Sequence, residues 1–101
     1  MTLDDYVLET LMPDLVGHDR RPSALLVYLA LWLRADRARG AVAVSLRELA
    51  EGTGLSKRAV QGALAKLVRR KLVAVERASQ TAVPAYTVLR PWAQRRAARA
   101  S

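Results

Sequence analysis

Residues 44–88 read VSLRELAEGTGLSKRAVQGALAKLVRRKLVAVERASQTAVPAYTV, and the punctuation of this stretch decides the fold. Ser45-Leu46-Arg47-Glu48 is a capping box. In such a box the Ser hydroxyl accepts from an amide of the first helical turn, and the Glu reaches back to the Ser amide. Leu46, Leu49 and Ala50 form the inner face of the short helix that follows, and Gly52-Thr53-Gly54 ends it. Ser56 caps a second helix, about Lys57–Arg70, with Val60, Ala63, Leu64, Leu67 and Val68 on one face. Leu72–Arg77 and Pro84–Leu89 are rich in Val, Thr and Tyr and read as two strands joined by Ala78–Val83. The order is therefore helix, tight glycine-containing turn, helix, hairpin.

Upstream, Ala41–Val44 is a short strand candidate. Pro22 and Ser23 open a helix that runs to about Arg37 and stops at Gly40. Its middle, Leu25–Leu33, is apolar nearly all round, which implies burial on more than one side. The cover would come from the first helix, the rest of the domain or a second subunit. That first helix carries Leu3, Val7, Leu11 and Leu15 as a stripe, widened by Leu8 and Met12. Thr2 is its expected cap, Asp4 and Asp5 suit its positive end, and Pro13 is expected to interrupt or kink it. Downstream, Pro91 starts a last short helix, Trp92–Ala100. The whole pattern is α-α-β-α-α-β-β-α.

A chain of 101 residues suits one domain, 1–101, with the helix pair at about 45–70 and the hairpin at about 72–89. An apolar fraction of 51% argues against disorder throughout. Phe is absent, so the core must come from Leu, Val and Ala with Tyr6, Tyr28, Trp32, Tyr86 and Trp92. Cys is absent too, which excludes disulfides, thiol nucleophiles and thiolate metal sites. His18 is the only histidine, so no two-His metal motif can be built. No nucleophile–base pair is visible, and the expectation is a non-enzyme without cofactor or metal. The longest apolar run, Ala24–Leu33, is half of the about 20 residues a spanning helix needs. The acidic N-terminus lacks the basic region of a secretory signal, so a cytoplasmic protein with no membrane partner is expected.

Lys and Arg number 17 against nine acids, a net charge of +8. The charge is uneven. Residues 1–18 hold Asp4, Asp5, Glu9 and Asp14 and no Lys or Arg. The remainder holds all 17 bases and five acids, a charge of +12. Such a body suits a polyanion, with nucleic acid first and an anionic membrane surface second. Codon bias toward Arg is the competing explanation.

Leu49-Ala50, Gly54-Leu55-Ser56, Val60, Ala63-Leu64, Leu67 and Leu72-Val73 together resemble the winged helix-turn-helix DNA-binding families. GntR-like, MarR-like and plasmid replication-initiator domains are the nearest in pattern, over about half of the chain. The resemblance implies an α+β, mainly helical fold: a winged helix-turn-helix with flanking N-terminal and C-terminal helices. It also implies that Lys57–Arg70 enters the major groove. The wing, Arg77–Pro84, would touch the backbone or minor groove.

The residues themselves agree. Opposite the Val60/Leu64/Leu67 stripe, the helical period places Arg58, Gln61, Gly62, Ala65, Lys66 and Arg69. Arg and Gln are the types that read guanine and adenine edges bidentately. Gly62 costs a helix roughly 1 kcal/mol relative to Ala. With Ala65 it makes a smooth ridge able to approach a groove closely. The alternative is that Gly62 packs against another helix and the cations form a solvated face. Ser56 is first a cap, and its hydroxyl, Lys57 and the first amides also suit a phosphate. Arg69, Arg70 and Lys71 complement a helix C-terminus as well as a phosphate. Related domains place Gly where Lys71 stands, so strain or a different exit is expected there. The wing lacks Gly, which argues for a short or loosely turned loop. Arg77, Ser79, Gln80 and Thr81 are its candidate contacts, against an ordinary polar loop. Trp32 and Trp92 read as core or interface anchors rather than base-stacking platforms. Arg95, Arg96 and Arg99 extend the basic surface or form a solvated tail.

The expected function is sequence-specific binding of double-stranded DNA by a transcriptional regulator. A plasmid or phage replication or partition initiator comes second. The rival of another class is a winged-helix module for protein–protein interaction, and RNA binding is third. A homodimer is expected, because small DNA-binding domains gain affinity by pairing. No small-molecule ligand is expected.

Overall fold

Pro13 does not end the first helix. In the computed structural model, which describes residues 3–19 and 22–93, a π-helical turn over Val7–Leu11 runs straight into α1, Met12–Asp19. The Met12 amide donates to the Val7 carbonyl across the wide turn. In a regular α-helix Pro13 would leave the Glu9 carbonyl without a donor and crowd it with its ring. Widening the preceding turn makes the room, so the expected interruption becomes a π-bulge.

The remaining elements are α2 (Ser23–Ala38), β1 (Val42–Ala43), α3 (Leu46–Thr53), α4 (Lys57–Arg69), β2 (Val73–Glu76) and β3 (Ala85–Val88). The three strands form an antiparallel sheet in the order β1-β3-β2. This is the expected α+β, mainly helical, winged helix-turn-helix. Pro91–Ala93 begins a further helical turn. The rest of the expected last helix, the Thr2 cap and Arg95, Arg96 and Arg99 lie outside the described residues.

α2 is the hub. It packs against α1, α3, α4, β1 and β3. Ala24, Leu25, Val27, Tyr28, Leu31 and Trp32 are all buried. One chain therefore explains most of its all-round apolarity, and Leu26 is left exposed.

Both α2 and α4 end in left-handed residues that are not glycine. Arg39 has φ +56° and Lys71 φ +59°. Around them the Gly40 amide donates to the Ala35 carbonyl (3.3 Å) and the Leu72 amide to the Leu67 carbonyl (2.9 Å). These six-to-one bonds close Schellman motifs. The α2 stop is thus at Arg39, one residue before the expected Gly40. The strain expected at Lys71 is present, because Cβ crowds the following carbonyl in this conformation.

The paired strand segments are shorter than expected at each end. The register runs from Val73↔Val88 to Glu76↔Ala85. The loop over 77–84 turns without a positive φ, so the wing is the loosely turned alternative. Its bend is held at Ser79, whose carbonyl and hydroxyl accept from the Ala82 amide at 3.3 and 3.1 Å.

The two ends of the described chain meet behind α2. Trp92 stacks on Tyr6 (4.6 Å) and lies parallel to Trp32 (6.4 Å). One Asp4 oxygen accepts from Arg90 Nε (2.9 Å), Arg90 Nη2 (2.6 Å) and Trp92 Nε1 (2.9 Å). The Tyr28 hydroxyl donates to the Leu89 carbonyl (2.9 Å). Both tryptophans are buried in this chain's own core, so they are core anchors rather than interface residues.

Candidate nucleic-acid interface

Local hydrogen bonds fix both ends of α3 and the start of α4. The Ser45 hydroxyl accepts from the Glu48 amide (3.1 Å), and the Ser45 amide donates to the Glu48 carboxylate (3.3 Å). At the other end the Thr53 hydroxyl donates to the Leu49 carbonyl (2.7 Å). Gly54 then takes φ +78°, where an L side chain would be strained. Ser56 Oγ accepts from the Ala59 amide (3.1 Å) and starts α4. The capping box, the glycine exit and the Ser56 cap all stand as the sequence places them.

α4 buries Val60, Ala63, Leu64 and Leu67 against the core. Its exposed side carries Arg58, Gly62, Ala65 and Arg69, spaced as one stripe on a helix. Lys57 and Gln61 are exposed beside it. A Cβ built on Gly62 would meet nothing within 4 Å. Gly62 therefore does not pack against another helix, and that alternative is removed. A groove of 450 Å³ runs along one side of the stripe and one of 780 Å³ along the other. The first lies against the sheet, and the second lies where α2 begins. The stripe is thus a ridge between two depressions.

Two residues of α4 are not where the helical period put them. Lys66, expected on the outer face as a phosphate contact, is buried, with 8% exposure. It shares its flank with Ala63 and Arg70, where Arg70 pairs with Asp14 of α1. Burial on that flank withdraws Lys66 from the outer face. Val68, expected on the buried stripe, is 38% exposed. It lines the sheet-side groove with Gln61, Ala65, Val75, Arg77 and Tyr86, above Leu46 and Leu64.

That groove brings Gln61 and Arg77 to opposite walls. Burial raises the Tyr86 hydroxyl above its ordinary pKa, and the Arg77 charge pulls it partly back. Arg77, Ser79, Gln80 and Thr81 are exposed, and the Ser79 hydroxyl already accepts within the loop. Ser56 is exposed but serves as a cap. Arg70 is at the surface but holds Asp14, so its charge is partly spent within the fold. The sequence reading missed Val75 and Asp14 as neighbours of the site. Their only signal was an apolar strand residue and an acid, with nothing local to tie either to α4.

Among the described residues no group of His, Asp and Glu side chains could hold a metal ion. No described helix is long and apolar enough to cross a membrane.

Residues 21–73 match the family described as a helix-turn-helix domain. No curated protein and no solved structure matches the chain. The matched segment takes in α2, β1, α3, the glycine turn and the whole ridge of α4, and stops at the first residue of β2. With just over half of its length in that match, the chain belongs to the helix-turn-helix domain family.

Proposed function

We propose that the protein binds double-stranded DNA sequence-specifically, as a homodimer, and acts as a transcriptional regulator. The observation that carries this reading is the α4 ridge. It is exposed along its length, has Arg58 and Arg69 near its ends, and holds a glycine facing open space. A protruding helix of this kind fits the major groove. In this reading Arg58 and Gln61 meet base edges. Lys57, Arg69 and Arg77 hold phosphates, and the Ser56 end of α4 offers its amides to another. Gln80 and Thr81 follow the backbone from the wing. Gly62 and Ala65 let the helix approach closely.

A replication or partition initiator of a plasmid or phage is the second reading, because the pattern resembles replication-initiator domains as well as GntR-like and MarR-like ones. Exposed Leu8 and Met12 on the first helix, and Leu26 on α2, support pairing through these helices. The expected interface is smaller than the sequence implied, because α2 is largely consumed by its own core.

Selection of bound sequences from a random duplex pool tests the reading. The expected result is one enriched motif made of two half-sites about 10 base pairs apart. If ~8 phosphates are neutralised, log K against log salt should slope near −7, at about −0.9 per phosphate. Binding that ignores salt, with no sequence enriched, would remove DNA from the account.

A further inference from the structure

We infer that the middle of the α4 ridge reads thymine C5-methyl groups, with Ala65 as the specificity-determining residue. The inference rests on the DNA-binding reading and adds what the site must contain.

The exposed side of α4 segregates its chemistry along the helix. Arg58 and Gln61 lie in its first half, and Arg69 is its last residue. Between Gln61 and Arg69, a rise of about 12 Å, the residues facing outward are Gly62, Ala65 and Val68. None of the three has a side-chain donor or acceptor. That length covers on the order of three base pairs at about 3.4 Å each.

A polar base edge covered by Ala65 or Val68 would lose its water and gain no partner, which is unfavourable. In the major groove the thymine C5-methyl is the one apolar group that projects from a base edge far enough to be covered by a side chain. The bound sequence should therefore place thymine under this segment, next to the purines met by Arg58 and Gln61. The ridge has the shape for such contact. Gly62 offers no Cβ, Ala65 offers a single methyl, and grooves fall away on both sides.

The test uses the full chain and its selected duplex. Each thymine is replaced singly by deoxyuridine, which removes only the methyl. Affinity should fall about fourfold at one or two adjacent positions, the transfer free energy of one buried methylene. Ala65→Gly should lose a similar factor on the thymine duplex and become indifferent to deoxyuridine at one of them. Its circular dichroism spectrum, with a melting temperature above that of the assay, shows that the variant is folded. If the wild-type chain binds a fully deoxyuridine-substituted site as tightly, with its salt slope intact, the inference is overturned and the DNA reading stands. A methyl effect that persists in Ala65→Gly removes Ala65 from the role. Absence of salt-sensitive duplex binding overturns the DNA reading and the inference with it.

Discussion

The α3–α4 pair and the clasp behind α2 are built by opposite means. In the helix pair the ordering bonds are short-range: Ser45 to Glu48, Thr53 to Leu49, Ala59 to Ser56. In the clasp they join residues far apart: Arg90 and Trp92 to Asp4, Tyr28 to Leu89. The first kind is written in neighbouring residues and needs no outside support to choose its conformation. The second exists only once the chain has closed. The difference also divides the labour. The locally ordered region leaves one helix face free, while the clasp buries its large aromatics to hold α2 in place. Asp4, Leu89, Arg90 and Trp92 lie outside the matched family segment, whereas the α3–α4 pair lies wholly within it.

If that division is right, damage to one region should not register in the other. The largest expected effect is Trp92→Ala. It removes a ring buried between Tyr6 and Trp32, together with a donor to Asp4, and should cost about 3–5 kcal/mol of stability. Urea unfolding measures the loss, and the affinity of the remaining folded protein for its site should not change. A change in intrinsic affinity would mean the clasp shapes the reading surface. Arg58→Ala is the converse. It should cost about 1–3 kcal/mol on the selected site, relax preference at one base position and leave the melting temperature alone. Equal losses on selected and random duplex would make Arg58 a phosphate contact.

Lys71→Gly acts at the join between the regions. Glycine accepts φ +59° without the Cβ clash, so the variant should gain about 1 kcal/mol. A loss would show that the Lys71 side chain contributes more than its backbone strains. Tyr28→Phe should cost about 1 kcal/mol by orphaning the Leu89 carbonyl.

Its pH dependence sharpens the test. Burial raises the Tyr28 hydroxyl above its ordinary value of 10.0. The folded chain therefore keeps a proton that the unfolded chain gives up. The contribution of Tyr28 is complete below about pH 10 and is lost as pH rises beyond it. Wild type should weaken more steeply than Tyr28→Phe above that point. Parallel alkaline unfolding curves would contradict the buried hydroxyl. The smallest effect is expected of Gly62→Ala. Its new Cβ meets open space, so stability should rise by up to about 1 kcal/mol while DNA affinity falls. A variant that is more stable and binds equally well would show that DNA does not approach the helix there.

Much of the α3–α4 pair is legible in the residues alone. The Ser45 box, the Gly54 exit and the Ser56 cap each depend on residues within four positions of one another. Such chemistry is the same in any fold that contains it. The +12 charge outside residues 1–18 is likewise a property of composition. The element order followed from apolar period and turn residues, which act locally.

What the tertiary structure alone decided lies at boundaries between elements. A helical period assigns Lys66 and Val68 an angle on the wheel but not a neighbour. In the folded chain Lys66 is buried, while Val68 stands at the edge of the groove against the sheet. The pairing of Arg70 with Asp14 and of Asp4 with Arg90 and Trp92 spans most of the chain, beyond any local signal. Pro13 could be read as a defect in α1. Only the packing of Val7, Leu11 and Leu15 into the core made it favourable to widen one turn rather than break the helix. Local bonds choose among a few backbone shapes, and the sequence carries them outright. Burial depends on which surfaces meet, and that is settled only when every element is in place.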